Sequence, residues 1–174
     1  MSAAGPAQAE RRVGAPAPRP GLRERLAGRW PLPPPLVYLV AILVGVLLER
    51  RWPLALLPGP PGRRLAGLCL LASAVIDGLA IGTCWRARTS IRPDAPSTAL
   101  VRTGPYRWSR NPMYLGLALF QAGIGLWLHN AWIVLALIPV MGVMNTIVAA
   151  EERYLTARFG AAYLDYRRSV RRWL

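Results

Sequence analysis

The sequence predicts an all-α integral membrane protein with about four transmembrane helices and a C-terminal helix at the membrane interface. Hydrophobic residues make up 53% of the 174-residue chain and are gathered into long blocks. All 22 basic residues are arginines, which lie mainly between these blocks and give a net charge of +14. Apolar blocks separated by basic loops are typical of a protein that crosses a membrane several times. We therefore interpret the charge as a topology signal.

The chain is expected to contain one folded domain. Residues 1–30 form a basic N-terminal tail that has few large apolar side chains to bury, so we expect this tail to be disordered. Residues 31–174 are expected to form a single transmembrane domain. Its recognisable motifs all lie in the core at residues 96–174.

The first two spans are predicted at residues 36–48 and 65–85. The first follows Pro33-Pro34-Pro35, and proline is tolerated at a helix start. The second contains Asp77, an intramembrane carboxylate that needs a partner or a wet cavity. Asp77 is thus a candidate for contact with a substrate or with a neighbouring helix.

The third and fourth spans, residues 113–128 and 131–150, are joined only by His129-Asn130. So short a connection predicts an antiparallel hairpin with a polar turn. Pro139 should kink the fourth span about midway. Small residues allow close helix approach in lipid, and this role is expected for Gly116, Gly123, Gly125 and Gly142.

The arginines predict the orientation. Six lie in the N-terminal tail, six at residues 86–110 and six after residue 150, whereas four lie between the first two spans and none in the hairpin turn. With four spans, 18 of the 22 fall on one side, which the positive-inside rule makes cytoplasmic. We expect an inner membrane protein of a bacterium with both termini in the cytoplasm. Residues 159–174, rich in Arg, Tyr and Trp, are expected to form an amphipathic interfacial helix.

Several functional classes are disfavoured. A nucleic-acid binder would need its basic residues on one soluble face. Cys69 and Cys84 have no neighbouring Cys or His to complete a metal site, and we interpret both as core or lipid-facing residues. The single histidine, His129, lies in the hairpin turn, which excludes Ser-His-Asp catalysis.

Four sequence elements occur in order near the C-terminus: Gly-Pro-Tyr at 104–106, Arg-Asn-Pro-Met-Tyr-Leu-Gly at 110–116, Glu-Glu at 151–152, and Phe-Gly-x-x-Tyr-x-x-Tyr at 159–166. In these elements the chain resembles the phospholipid and isoprenylcysteine methyltransferases, membrane enzymes that use S-adenosylmethionine. The predicted topology independently places the motifs on the cytoplasmic side, where that cofactor is supplied. The resemblance therefore implies a membrane methyltransferase that acts on a lipid or another hydrophobic acceptor.

The resemblance also implies the site residues. The expected cofactor-binding residues are Thr98, Ala99, Leu100, Val101, Tyr106, Asn111, Pro112, Met113, Tyr114 and Glu151. Glu151 or Glu152 can pair with the cofactor's ammonium. Adjacent helical residues point about 100° apart, so we expect the two glutamates to make different contacts. The other glutamate is expected to pair with Arg153, Arg158 or a substrate group. We assign Glu152 and Arg172 to the catalytic side of the site.

The acceptor stays open between a phospholipid amine and an isoprenylcysteine-type carboxyl group. Asn111 matches the phospholipid branch, which has Asn-Pro-Met-Tyr, whereas the tyrosine-rich tail favours the isoprenylcysteine branch. Ile147 stands where the resemblance predicts a substrate-binding arginine, although Arg110 or Arg172 can substitute. Two alternatives are an NADPH-dependent enzyme similar to the membrane sterol reductases and a non-catalytic membrane protein that retains the fold.

Overall fold

The computed structural model describes residues 33–89 and 99–174, and every regular element in these residues is helical. The predicted all-α fold is confirmed for this part of the chain. The basic tail at residues 1–30 and Thr98 lie outside the described residues, so what the sequence predicts for them stays a prediction.

The first three helices lie close to the spans that the apolar blocks predicted. In chain order they are α1 (Pro34–Arg51), α2 (Pro60–Arg86), a 3-10 turn (Gly104–Arg107), α3 (Pro112–Trp127), α4 (Ala131–Leu135), α5 (Leu137–Phe159) and α6 (Ala161–Ser169). Each of α1, α2 and α3 begins at a proline. The fixed φ of proline suits the first helical turn, where its missing N–H would have had no partner.

The number of membrane spans is confirmed only in part. Two helical segments, Pro60–Arg86 and Ala131–Phe159, are long and apolar enough to cross a membrane by length and composition. α3 is apolar but has only 16 residues, and α1 ends in Glu49, Arg50 and Arg51. Only 17% and 28% of the most apolar 18-residue windows of these two segments is buried inside the protein, as expected for surfaces that contact lipid.

The fourth predicted span is interrupted, but not midway. The helix breaks at Ala136, between α4 and α5, and then continues to Phe159 instead of ending near Ala150. The prediction was wrong about the position because a proline disturbs the turn that precedes it: the Pro139 ring crowds the carbonyl of Leu135 and offers it no N–H. The break therefore lies near the start of the segment.

Glycines allow close packing between α2, α3 and α4. A Cβ added at Gly116 would overlap the Asp77 carboxylate, and one at Gly123 would lie 2.8 Å from Leu70. The expectation for Gly142 was wrong within the described part of the chain, because no neighbouring helix there comes within 4 Å of a Cβ built at this glycine. Asp77 thus makes a packing contact with α3 and accepts a 3.5 Å hydrogen bond from the Ser73 hydroxyl.

The hydrophobic core lies where α1, α3 and α5 meet. Tyr38, Val140, Met144 and Ile147 are each at most 4% exposed, and Trp173 packs against them from the C-terminus. The Tyr38 hydroxyl also donates a 3.0 Å hydrogen bond to the backbone carbonyl of Tyr114. This core fixes α3 relative to α5, the two helices that carry the central motif residues.

Candidate active site at one end of the helix bundle

The 3-10 turn holds Tyr106 against the end of α2. Gly104 has φ +60 and lies so close to Thr83 that a Cβ would lie 2.6 Å from its hydroxyl, so glycine is required there. The Tyr106 hydroxyl lies 3.2 Å from the Cys84 sulfur, and the Tyr106 carbonyl accepts a 2.7 Å hydrogen bond from the Tyr166 hydroxyl. Burial first, and the hydrogen bond with Cys84 second, raise the pKa of Tyr106. The phenol is therefore neutral at physiological pH.

The two adjacent glutamates of α5 point in different directions, as their helical spacing predicted. Glu151 is half-buried, and its Oε2 accepts a 3.1 Å hydrogen bond from the Tyr114 hydroxyl of α3. Among the described residues it has no cationic partner. Glu151 is thus a largely enclosed acidic group whose hydrogen-bond donor among the described residues is a neutral hydroxyl.

Glu152 is instead enclosed by two arginines. Its Oε1 lies 2.6 Å from Arg110 Nη1, and it accepts hydrogen bonds from Arg172 Nε at 3.2 Å and from Arg172 Nη2 at 2.7 Å. The expected pairing with Arg153 or Arg158 was wrong, because the Glu152 side chain faces the motif segment and the C-terminus rather than its own helix. The hydrogen bond with Glu152 raises the pKa of Arg172, which keeps this guanidinium charged.

The last residues of the chain dock on the segment just before α3. After α6 the backbone becomes extended at Val170, and the Arg171 carbonyl accepts a 3.0 Å hydrogen bond from the Arg110 amide. The Arg172 carbonyl accepts two more, from Ser109 Oγ at 3.2 Å and from Asn111 Nδ2 at 2.9 Å. Asn111 does not cap α3 with its side chain. One hydrogen of its Nδ2 is donated to the C-terminal segment instead.

The C-terminal interfacial helix is shorter than predicted. The chain turns at Gly160, which has φ +55, so residues 159–174 divide into the end of α5, the separate helix α6 and an extended end. Tyr163 and Tyr166 are buried and contact each other edge to face, with ring centroids 6.1 Å apart. The Arg102 guanidinium lies over the Tyr166 ring at 5.8 Å. α6 thus covers the motif segment as well as presenting charged residues outward.

A cleft of about 480 Å³ opens beside Glu152. Its wall comes from α5, α6 and the C-terminal segment, and consists of Ala149, Glu152, Arg153, Thr156, Ala157, Arg167 and Arg172. A second cleft of similar volume lies at the opposite end of the bundle, beside Arg63, Arg64 and His129. Only the first contains residues from the sequence motifs.

The predicted site residues are brought together in part. Tyr114 contacts Glu151, Asn111 and Arg172 are hydrogen-bonded to each other, and Arg172 reaches Glu152. Pro112 is buried at the start of α3, where it works as a helix start. Four further predicted residues are half-buried and lie close in sequence to the motif residues: Ala99, Leu100, Val101 and Met113.

Sequence reasoning missed three contributors. Ser109 is 2% exposed and binds the C-terminal segment, Cys84 contacts Tyr106, and Arg102 stacks on Tyr166. Cys84 had been interpreted only as a core or lipid-facing residue. Cys84 lies four residues after Ala80 on the buried face of α2, so helical spacing could have predicted its burial. No local pattern predicts that its partner is Tyr106.

Comparison with known proteins identifies the family of this arrangement. The phospholipid methyltransferase family matches residues 64–162. Protein-S-isoprenylcysteine O-methyltransferase of Saccharomyces cerevisiae is 36% identical over 72 residues, which cover 41% of this chain but only 30% of that enzyme. An uncharacterized protein of Haemophilus influenzae is 43% identical over 63 residues, which cover 36% of this chain and the whole of that protein. No solved structure matches the chain. By the extent of the family match, which includes the motif segment, the glutamate pair and most of the helical bundle, this chain belongs to the phospholipid methyltransferase family.

Proposed function

We propose that this protein is an integral membrane methyltransferase that uses S-adenosylmethionine and acts on a lipid or another hydrophobic acceptor. The observation that carries the proposal is the contrast between the two glutamates. Glu152 is neutralised by Arg110 and Arg172, whereas Glu151 has a neutral tyrosine donor and no cation among the residues described. A partly buried carboxylate that lacks a cation gains a charge-assisted hydrogen bond when it binds one.

The residues around Glu151 suit this cofactor. Its carboxylate matches the ammonium of the cofactor's amino-acid portion, and the faces of Tyr106 and Tyr114 can attract a sulfonium by cation–π interaction. We propose that residues 98–101, with Pro112 and Met113, surround the rest of the molecule. When bound, the cofactor supplies a methyl group carried on a sulfonium.

The protein's own contribution is mainly to position the reactants. Oriented reactants gain roughly 7–11 kcal/mol from proximity alone, so a reaction with a nucleophilic acceptor needs little acid–base chemistry. Tyr114 donates to Glu151 and fixes its carboxylate, while the half-buried, neutral Tyr106 closes the site toward α2. Glu152 and Arg172 then form the acceptor side of the site.

The favoured acceptor is a phospholipid amine. The head group of such a lipid carries an anionic phosphate and a cationic amine, and a Glu152–Arg172 ion pair beside an open cleft can exchange its internal contacts for both charges. Arg172 would bind the phosphate, and Glu152 would hold the amine and accept its proton. Ile147 supports this choice, because its side chain is 4% exposed in the core and leaves no place there for an anchored carboxylate.

An isoprenylcysteine-type carboxyl group is the second candidate. The similarity to the yeast isoprenylcysteine enzyme favours it, and Arg110 and Arg172 together can serve as the counter-ion. In that case the carboxylate would displace Glu152 from one or both guanidinium groups. Both candidates therefore use the same arginines. Glu152 would bind the phospholipid amine, whereas an isoprenylcysteine carboxylate would displace Glu152.

Binding and labelling experiments test the proposal in sequence. Calorimetry of the purified protein should detect S-adenosylhomocysteine and not NADPH; the reverse result would favour the reductase alternative. Incubation with methyl-labelled cofactor and either phosphatidylethanolamine or farnesylcysteine should label the lipid amine. Labelling only the farnesylcysteine carboxyl would select the second candidate, and binding of neither cofactor would favour a non-catalytic protein. For substitutions at Glu151 and Glu152, the matched control is Glu49→Gln, which changes a glutamate near the C-terminal end of α1.

The proposed location is the inner membrane of a bacterium, with the site and both termini on the cytoplasmic side. The arginine distribution supports this orientation. In a protein with Cys69 and Cys84 replaced by alanine, a membrane-impermeant maleimide added to intact spheroplasts should label Ala55→Cys and spare Leu174→Cys. Labelling of the C-terminal cysteine would place the site away from the supply of cofactor and overturn the orientation.

A further inference from the structure

The carbonyl of Arg172 is held by two side chains of the segment that precedes α3. We define residues 170–174 as the C-terminal strap. Ser109 Oγ and Asn111 Nδ2 both donate to the Arg172 carbonyl, while the Arg110 amide donates to the Arg171 carbonyl. We call Ser109 and Asn111 together the clamp. Ser109 Oγ also accepts a 3.1 Å hydrogen bond from the Asn111 backbone amide, which fixes the two clamp residues relative to each other.

The same strap residue carries the guanidinium that reaches Glu152. The two ends of Arg172 are therefore fixed independently, its backbone by Ser109 and Asn111 and its side chain by Glu152. Trp173 extends the attachment, because its Nε1 donates to Asn145 Oδ1 at 3.1 Å and its ring packs against the core. Ser109 and Asn111 thus fix the backbone of the strap at Arg172, between its attachments at Arg171 and Trp173.

We infer that Ser109 and Asn111 are positioning residues for the acceptor side of the site, and that they act through the backbone of Arg172. This inference rests on the proposed function for its effect on turnover. It assigns Asn111 to the strap rather than to the cofactor, because the side-chain hydrogen bond that Asn111 makes among the described residues runs from Nδ2 to the Arg172 carbonyl. It also explains why this asparagine precedes α3 without capping it.

Kinetics of Ser109→Ala and Asn111→Ala test the inference. Losing one clamp hydrogen bond should lower kcat/KM for the acceptor by about tenfold, while affinity for S-adenosylhomocysteine stays within about twofold. Ser169→Ala is the matched control, because Ser169 lies next to the strap but its hydroxyl donates to the Tyr166 carbonyl. A fall in S-adenosylhomocysteine affinity equal to the fall in turnover would show that Asn111 contacts the cofactor and would overturn its assignment.

A double-mutant cycle tests whether the clamp acts through Arg172. In an Arg172→Gln background, Ser109→Ala should change kcat/KM by no more than about twofold, because the guanidinium it positions is already absent. Additive effects of the two substitutions would overturn the inference.

Limited trypsin cleavage provides a measurement that does not depend on activity. Ser109→Ala and Asn111→Ala should each accelerate cleavage after Arg171 and Arg172 by about tenfold, whereas Ser169→Ala should not. Cleavage at the exposed Arg167 and Arg168 serves as the internal reference. Equal cleavage of the strap in all variants overturns the inference even if the protein methylates its acceptor, and faster cleavage in the two clamp variants supports it even if no acceptor is methylated.

Discussion

The two ends of the helix bundle use polar side chains in different ways. At the hairpin end, side chains bind backbone: Asn130 Nδ2 donates to the Gly45 carbonyl, and Trp132 Nε1 donates to the Trp52 carbonyl. At the motif end, Ser109 and Asn111 also bind backbone, but charged side chains there bind one another, as Glu152 does with Arg110 and Arg172. A backbone carbonyl is a fixed partner, whereas a side-chain ion pair can be exchanged for a charged ligand. The difference separates the polar groups that stabilise the fold from those available for chemistry.

Two asparagines make the comparison concrete. Asn130 and Asn111 each precede a helix, the usual place of an N-cap residue. Asn130 caps α4 by accepting a 3.1 Å hydrogen bond from the Ile133 amide, and it is buried. Asn111 leaves α3 uncapped and binds the C-terminal strap instead. The same residue type at the same helical position thus stabilises a turn at one end and completes the site at the other.

The largest effect is expected at Glu152, where Glu152→Gln would leave two guanidinium groups facing each other. Removing one partner of a buried ion pair costs about 3–5 kcal/mol, and the lower end applies because the Arg172 side chain is 32% exposed. Thermal unfolding in detergent should show a clearly lower midpoint than the Glu49→Gln control. An unchanged midpoint would mean that this cluster is no more than a solvated surface network.

A smaller, purely functional effect is expected at Glu151. Glu151→Gln should weaken S-adenosylhomocysteine binding by roughly 10- to 150-fold, the equivalent of about 1.5–3 kcal/mol for a charge-assisted contact, with little change in the thermal midpoint. Tyr114→Phe should have a weaker effect of the same kind, because it removes only the donor that orients the carboxylate. Calorimetry measures both, and full affinity in Glu151→Gln would remove this residue from the cofactor site.

At the hairpin end the expected pattern reverses. Asn130→Ala removes both the cap of α4 and the side-chain hydrogen bond to the Gly45 carbonyl, which should cost about 1–3 kcal/mol of stability. Affinity of the folded protein for S-adenosylhomocysteine should not change. If binding weakened in proportion to stability, the two ends would not be functionally separate.

The smallest effect is expected at His129. Its φ is +52, and its Nδ1 lies 3.2 Å from the Leu57 carbonyl on the exposed side of the turn. Asparagine tolerates this backbone conformation, so His129→Asn should change stability by no more than about 0.5 kcal/mol and leave binding unchanged. A loss of methyl transfer in this variant would contradict the assignment of His129 to a turn.

Much of the fold was predictable because its signals are local. Pro34, Pro60 and Pro112 mark helix starts, and the short His129-Asn130 link requires a hairpin. Motif order indicated the family, which the comparisons confirmed. The break at Ala136 was also predictable, because a proline disturbs the helical turn that precedes it and Pro139 follows Ala136 by three residues.

The sequence by itself determined the all-α class, the approximate positions of the first three helices and the divergence of Glu151 from Glu152, because these follow from residue type and helical periodicity. Only the tertiary structure decided which cations neutralise Glu152 and what Asn111 binds. Those contacts join residues 110, 152 and 172, which come together when the C-terminal strap returns to the start of α3. Nothing in the sequence near Glu152 distinguishes Arg172 from Arg153 or Arg158 as its partner, because the choice depends on how α5, α6 and the motif segment pack.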